Sequence, residues 1–197
     1  MPDDQEFLAR LRRHEEAAFA ELFERYADRV YRLAMGLLKQ ADDAEEIVQA
    51  TFISAFEALD RFEPRAQVST WLYRIAYNHA LMLIRRRHTV DSLPEEDEDS
   101  LLLPVQLIDW SQLPDQRVLN SEAQEVLRAA INELPVGLRA AFVLRDLEGL
   151  STAECAHIQG LTEAACKVRL HRARLRLREH VSTYFSERSK TQTEEIV

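Results

Sequence analysis

Lys167, His171, Arg174 and Arg178 recur at steps of four, three and four residues, and Arg172 flanks them. On an α-helix these positions share one strip, so the sequence predicts a line of positive charge along one face. From Ala164 to Arg178 there are six basic residues and no acidic one. Cys166, Leu170, Ala173, Leu177 and Val181 form a second, apolar stripe about 100° away. A helix that packs by one side and offers dense positive charge on the other suits a phosphate backbone and a major groove. An ordinary solvated amphipathic helix would share the charge but not what precedes it. Ser151 with Glu154 three residues on is a capping-box start, Gly160 suits the positive φ that ends a short helix, and Thr162 can cap the next one. Two helices joined by a tight glycine-containing turn make a helix-turn-helix pattern.

A second basic window holds aromatic rings. Trp71, Arg74, Asn78 and Arg85 fall on or near one side of a predicted helix that ends in Arg85-Arg86-Arg87. Rings beside arginines and an amide make a platform for unstacked bases, because π-faces stack and cations track phosphates. Tyr73 and Tyr77 read as core residues instead, and for Trp71 both readings stand. A third set, Glu46, Gln49, Ile53 and Glu57, shares another helical face. Ile53 is apolar among carboxylates, which fits a partner surface as well as ordinary exposure.

The elements that must position these residues are helical. Four glycines, six prolines and no alternating β-branched runs leave strand signals nearly absent in the 197 residues. After a short polar lead, Met1 to Asp4, the stripe Phe19, Leu22, Phe23, Tyr26, Val30, Leu33, Leu37 and Leu38 predicts a helix over Glu15 to Lys39, with Gly36 inside it where a neighbouring helix approaches closely. Asp42 is the expected cap of the next helix, and Asp43, Glu45 and Glu46 place negative charge where the helix dipole favours it. That helix buries Ala44, Ile47, Val48, Phe52, Ala55, Phe56 and Leu59. A loop precedes a helix opened by Ser69 or Thr70 and running to about Arg87. Further helices are expected from Asn120 or Ser121 to Pro135 and from Val136 to Glu148, before the helix-turn-helix; Ser182 to Val197 reads as a polar, disordered tail. The expected fold class is all-α: two small helical domains, 1–88 and 117–183, joined by an acidic flexible linker over 89–116 that carries Glu95 to Asp99 and three prolines, with a tail over 184–197.

The net charge of −9 disfavours nucleic acid at first sight, but its distribution does not. Pro64 to Val90 holds five arginines and no acid, so the two basic windows together carry eleven positive charges, and the remainder carries 34 acidic and 14 basic residues, a net of −20. Two basic contacts on a chain that otherwise repels DNA imply weak duplex binding alone and reliance on a larger carrier. Two cysteines make no disulfide framework, no apolar run reaches membrane-spanning length, and no signal-peptide core opens the chain. These features point to a cytoplasmic protein with reduced thiols and no membrane insertion.

Four blocks then match a known pattern in order and spacing. Asp43-Ala44-Glu45-Glu46-Ile47-Val48-Gln49-Ala50-Thr51-Phe52, Ser69-Thr70-Trp71-Leu72-Tyr73-Arg74-Ile75-Ala76-Tyr77-Asn78, Leu134-Pro135 and Leu170-His171-Arg172-Ala173-Arg174 resemble an extracytoplasmic-function sigma factor of bacterial RNA polymerase, over about Glu15 to His180. The resemblance implies that Asp43, Glu46, Gln49 and Ile53 bind core RNA polymerase. It implies that the loop from Phe62 and the helix carrying Trp71, Arg74, Asn78, Arg85 and Arg86 open the minus-ten promoter element and hold a flipped base on the single strand, an extrusion that costs a few kcal/mol. It implies that Thr152, Lys167, His171, Arg172 and Arg174 read the minus-thirty-five element as duplex, that the acidic linker threads the polymerase cleft, and that an anti-sigma factor masks both domains. Cys155 stands where that family has an aliphatic residue, and Ala164-Ala165-Cys166-Lys167-Val168 replaces its more usual Gly-Thr-Val-Lys-Ser, so Val168 lacks a hydroxyl.

Other classes fit less well. Cys155, His157, Cys166 and His171 are zinc-ligating types, but Cys166 lies on the apolar stripe and His171 is five residues on, about 140° around the helix. Cys155 and Cys166 read as small core residues rather than as a redox sensor. A stand-alone helix-turn-helix regulator would need a dimer surface and would leave the Trp71 window unexplained. No phosphate loop, nucleophile elbow or metal-spaced cluster suggests an enzyme, a metal or a cofactor.

Overall fold

Apolar residues at steps of three and four wind into eight α-helices in this computed structural model, which describes residues 2–61, 67–88 and 121–194 and has no strand among them. The acidic linker over 89–116 and Phe62 lie outside the described residues. The expected polar lead is instead part of a first helix, α1 (Pro2–Arg12), anchored by Phe7 and Leu11 in the core and by Arg25 stacked over the Phe7 ring. α2 (Glu16–Leu38) buries Leu22, Val30, Leu33 and Leu37 against α3 (Ala41–Ala58) and α4 (Val68–His88). Burying such side chains contributes about 1.5–3 kcal/mol each before conformational entropy is counted. α2 ends at Lys39, whose φ of 68° lies in the left-handed region that favours glycine.

The cap of α3 falls at Gln40 rather than at the expected Asp42, and no side chain closes it. Asp42 and Asp43 sit inside the first turn, where they complement the dipole instead. α4 begins one residue before the expected Ser69. Two aromatics assigned to buried stripes are not buried: Phe23 and Phe56 stand about half exposed, stacked edge-on or tilted against Phe52, Phe19 and His14.

In the C-terminal part, α5 (Ser121–Glu133) and α6 (Val136–Phe142) pack on α8 (Glu163–Glu194) through Ala130, Leu134, Leu138, Phe142, Ala173 and Leu177. The helix expected to continue to Glu148 widens into a π-turn at Val143–Leu147, closed by the Glu148 N–H on the Val143 carbonyl at 2.9 Å. α7 (Thr152–Gln159) follows. α8 runs on to Glu194, through most of the segment read as a disordered tail.

The two parts are packed together. Ala140, Val143, Leu144, Cys155, Ala156, Ile158 and Cys166 join the N-terminal core in one continuous cluster. Gly36 makes the close approach its position suggested, to the π-turn of the other part: a Cβ there would lie 3.0 Å from both Val143 methyls.

Candidate nucleic-acid interface

The helix-turn-helix forms as the residue types dictate. Ser151 is extended, its hydroxyl accepts from the Glu154 N–H at 3.2 Å, and the Glu154 carboxylate accepts from the Ser151 N–H at 2.8 Å and its hydroxyl at 2.6 Å. Those bonds, led by the hydroxyl, hold the Glu154 carboxyl below its usual range. Gly160 turns the chain with φ 68°, and the Thr162 hydroxyl accepts from the Ala165 N–H at 3.1 Å. Cys155 and Cys166 are buried where α7 meets α8. The Cys155 thiol donates to the Leu150 carbonyl at 4.0 Å. The neighbouring Cys166 thiol pushes Cys155 up, and Cys155 in turn holds Cys166 down, helped by Arg169 and Arg145.

On α8 the expected strip divides. Lys167 and Arg178 are exposed, and Thr152, His171 and Arg172 are half-buried. Arg174 is drawn back into the protein, its Nε and Nη2 donating to the two Asp146 carboxylate oxygens at 2.9 and 2.6 Å. A bidentate guanidinium–carboxylate pair fixes orientation as well as charge, so Arg174 braces the π-turn instead of standing on the outer face. The strip is legible from spacing, whereas Asp146 lies 28 residues upstream and no periodicity links the two.

On α4, Arg74, Asn78, Arg85 and Arg86 are exposed, and Trp71 is half-buried against the core cluster. Tyr73 and Tyr77 are buried, as their core reading expected. On α3, Glu46, Gln49 and Ile53 are exposed, with Ile53 at 60%. Asp43 does not join them: it is buried, and both its oxygens accept from Arg87 of α4. Beside Ile53, the exposed Phe56 and Phe23 extend the apolar surface of α2 and α3.

Polar ties join the N-terminal part to the C-terminal part, and most of them carry no sequence signal. Glu148 accepts from Arg32 of α2 through Nε and Nη2 at 3.0 and 3.2 Å and from the Tyr73 hydroxyl of α4 at 2.9 Å. Burial first, and then the Glu148 charge, push the Tyr73 hydroxyl far above its ordinary range. Thr70 donates to Glu154 at 3.1 Å, and Arg74 Nη1 lies 3.2 Å from His157 Nε2. Lys39 donates to the Asn132 carbonyl, which also accepts from the buried Arg139 at 3.0 Å, so two cations close the carboxyl end of α5. Residues 75 to 116 positions apart carry no shared period, so only the fold reveals Glu148 as a partner of Tyr73 and Arg32.

Among the described residues no helix is long and apolar enough to cross a membrane. The family model described as sigma-70 region 2 matches residues 22–89, and that described as sigma-70, region 4 matches residues 124–177. The chain is 30% identical over 176 residues to the ECF RNA polymerase sigma factor SigW of Bacillus subtilis (strain 168), covering 88% of this chain and 94% of that one. It is 35% identical over 173 residues to the ECF RNA polymerase sigma factor SigE of Mycolicibacterium smegmatis, covering 87% of this chain and spanning 64% of that relative's length. Among solved structures it resembles the sigma factor RpoE crystallised with the anti-sigma factor NepR from Bartonella quintana, with a TM-score of 0.62 and 26% identity over 83% of this chain and 96% of that one.

Proposed function

This chain belongs to the extracytoplasmic-function sigma factors of RNA polymerase, and on that premise we propose how its parts divide the work of starting transcription. The chain binds core RNA polymerase, directs it to promoter DNA and promotes strand opening. The functional boundaries are 1–88 for polymerase and minus-ten binding, 89–116 for the linker, 117–183 for minus-thirty-five binding and 184–197 for the tail. Sigma factors are not enzymes, and this one adds no catalytic group, metal or cofactor of its own; bond formation belongs to the polymerase in the cytoplasm.

The observation that carries this function is the exposed Lys167 strip of α8, set behind the capped α7 and the left-handed Gly160 turn, in the segment that matches region 4. Such a helix enters a major groove by its N-terminal residues. Lys167, His171 and Arg172 meet the minus-thirty-five duplex, and Thr152 meets the backbone beside it. On α4, Arg74, Asn78, Arg85 and Arg86 track the phosphates of the opened strand, with Trp71 and Phe62 against the bases. Stacking on an aromatic ring is worth about 1–3 kcal/mol per base, which offsets a cost of a few kcal/mol for unstacking. Glu46, Gln49 and Ile53 meet the polymerase. An anti-sigma factor controls the chain, a role supported by the solved relative's own anti-sigma partner.

Run-off transcription with purified core polymerase on genomic fragments tests the proposal. Discrete transcripts that depend on the added chain are expected. Failure to associate with core enzyme, together with tight operator binding by a stable dimer, would favour a stand-alone helix-turn-helix regulator instead.

A further inference from the structure

Cys155 and Cys166 are buried, at 0% and 1% exposure, on the seam between the two helices of the helix-turn-helix. They stand eleven residues apart, on α7 and α8, and packing sets their side chains against each other, so that each thiol is the largest influence on the other's ionisation. Their hydrogen bonds make the two sulfurs unlike. Cys155 Sγ donates to the Leu150 carbonyl at 4.0 Å, which keeps its proton in use. Cys166 Sγ accepts from the Gln159 side-chain amide at 3.9 Å, and Arg169 and Arg145 place positive charge near it. Both features favour the thiolate at Cys166, and the thiolate is the nucleophile of sulfur chemistry. The seam is also able to open. α7 has eight residues, and glycines with left-handed φ stand on either side of it, Gly149 at 73° and Gly160 at 68°. Gln159 Oε1 is buried there without a hydrogen-bond partner, so parting α7 from α8 returns one unsatisfied acceptor to water.

We propose that Cys155 and Cys166 form a modification site, a dithiol that a peroxide converts to a disulfide across the helix-turn-helix, and that the bond withdraws the chain from the minus-thirty-five element. The Cys166 thiolate attacks one peroxide oxygen and the O–O bond breaks. This leaves a sulfenic acid on Cys166 and a hydroxide that takes up the proton Cys166 had released. The Cys155 sulfur then attacks the sulfenic sulfur, the S–O bond breaks, and the oxygen leaves as water with the Cys155 proton. Two thiols and one hydrogen peroxide thus give one disulfide and two waters. A dithiol reductant reverses the step by exchange through a mixed disulfide. A disulfide is about 2.05 Å long, shorter than any non-bonded sulfur contact, so the bond draws α8 toward α7 at Cys166. Lys167 is the next residue, and its strip leaves the position that the reduced fold gives it. The consequence for transcription rests on the assignment of α8 to the minus-thirty-five duplex, whereas the bond itself does not.

The test treats the reduced full chain with hydrogen peroxide, removes the excess with catalase, blocks remaining thiols under denaturant and reads the intact mass. The folded parent is expected to lose both free thiols and two hydrogens while staying a single chain. Cys155→Ala is expected to form no disulfide and to leave Cys166 as a sulfenic acid that dimedone traps. Cys166→Ala keeps only the protonated thiol and is expected to stay reduced, and it serves as the control should Cys155→Ala fail to fold. Survival of both thiols in the folded parent, under peroxide that oxidises the urea-unfolded chain, would overturn the site, as would a disulfide found only between chains. Run-off transcription with core polymerase reads the consequence. The oxidised parent is expected to give about tenfold less promoter-directed transcript, to recover with dithiothreitol, and to differ in this from Cys166→Ala, on which peroxide has no effect. Full activity of the oxidised parent would uphold the bond and overturn the displacement of Lys167. An inactive reduced parent would overturn the assignment of α8, and the mass measurement would still decide the site.

Discussion

Asp43 in the first turn of α3 receives both terminal nitrogens of Arg87, 44 residues later near the end of α4. The carboxylate side chain is 10% exposed and the guanidinium 53%. The pair fixes the angle between the helix that presents Ile53 and the helix that presents Arg74. Asp43 therefore acts by positioning, while Glu46, Gln49 and Ile53 of the same helix are exposed.

That separation predicts two different phenotypes on one helix. Asp43→Ala lowers the thermal midpoint and leaves polymerase affinity near the parent value once the protein is folded. Ile53→Asp leaves the circular dichroism spectrum and thermal midpoint near the parent's but weakens the core polymerase complex about tenfold, the scale of a central contact worth more than ~1 kcal/mol. Titration of labelled core enzyme checks both, and normal binding by Ile53→Asp would remove this surface from the proposal.

On α8, Arg174 is committed to Asp146, whereas Lys167 is exposed and Arg172 half-buried. Lys167→Ala and Arg172→Ala are expected to reduce promoter-directed run-off transcription roughly tenfold, as one lost contact of ~1–3 kcal/mol would, with polymerase binding intact. Arg174→Ala is expected to act through stability, because Asp146 loses its bidentate partner. A normal melting curve for Arg174→Ala together with lost promoter activity would return that residue to the DNA face.

Gly36 offers a test of packing between the two parts. Alanine in a helix interior gains about 1 kcal/mol of propensity over glycine, whereas overpacking costs typically ~1–3 kcal/mol. With both Val143 methyls 3.0 Å from the new Cβ, the steric cost is expected to win, and Gly36→Ala lowers the thermal midpoint. Gly36→Ala with Val143→Ala should be less destabilised than the sum of the two single changes. Strict additivity would mean that the two residues do not meet in solution.

The capping box gives a pH dependence with a defined sign. The Ser151 hydroxyl leads the groups that depress the Glu154 carboxyl in the folded protein, below its ordinary value near 4.5. A depressed carboxyl contributes stability that is present above its unfolded pKa and lost as pH falls through the folded one. Thermal midpoints measured downward from about pH 5 should fall more steeply for the parent chain than for Glu154→Gln. Ser151→Ala should cost about 1 kcal/mol at neutral pH. Parallel curves for parent and Glu154→Gln would show that Glu154 does not contribute to the acid limb.

The sequence by itself determined what depends on neighbours within a few residues. Helix periods, the Ser151–Glu154 box, the Gly160 turn and the Thr162 cap all follow from local backbone chemistry, and the structure bears them out. The two basic windows and the acidic remainder were equally legible, since charge is counted and not folded. Tertiary structure alone decided which charges remain outward. Arg174 pairs with Asp146, Asp43 with Arg87, and Glu148 with Arg32 and Tyr73, across separations of 28 to 116 residues. It also left Phe23 and Phe56 half exposed despite their place on apolar stripes. The physical reason is common to all of these: a helical period says which residues share a face, but the partner on the other side of that face is chosen by packing between elements distant in the chain.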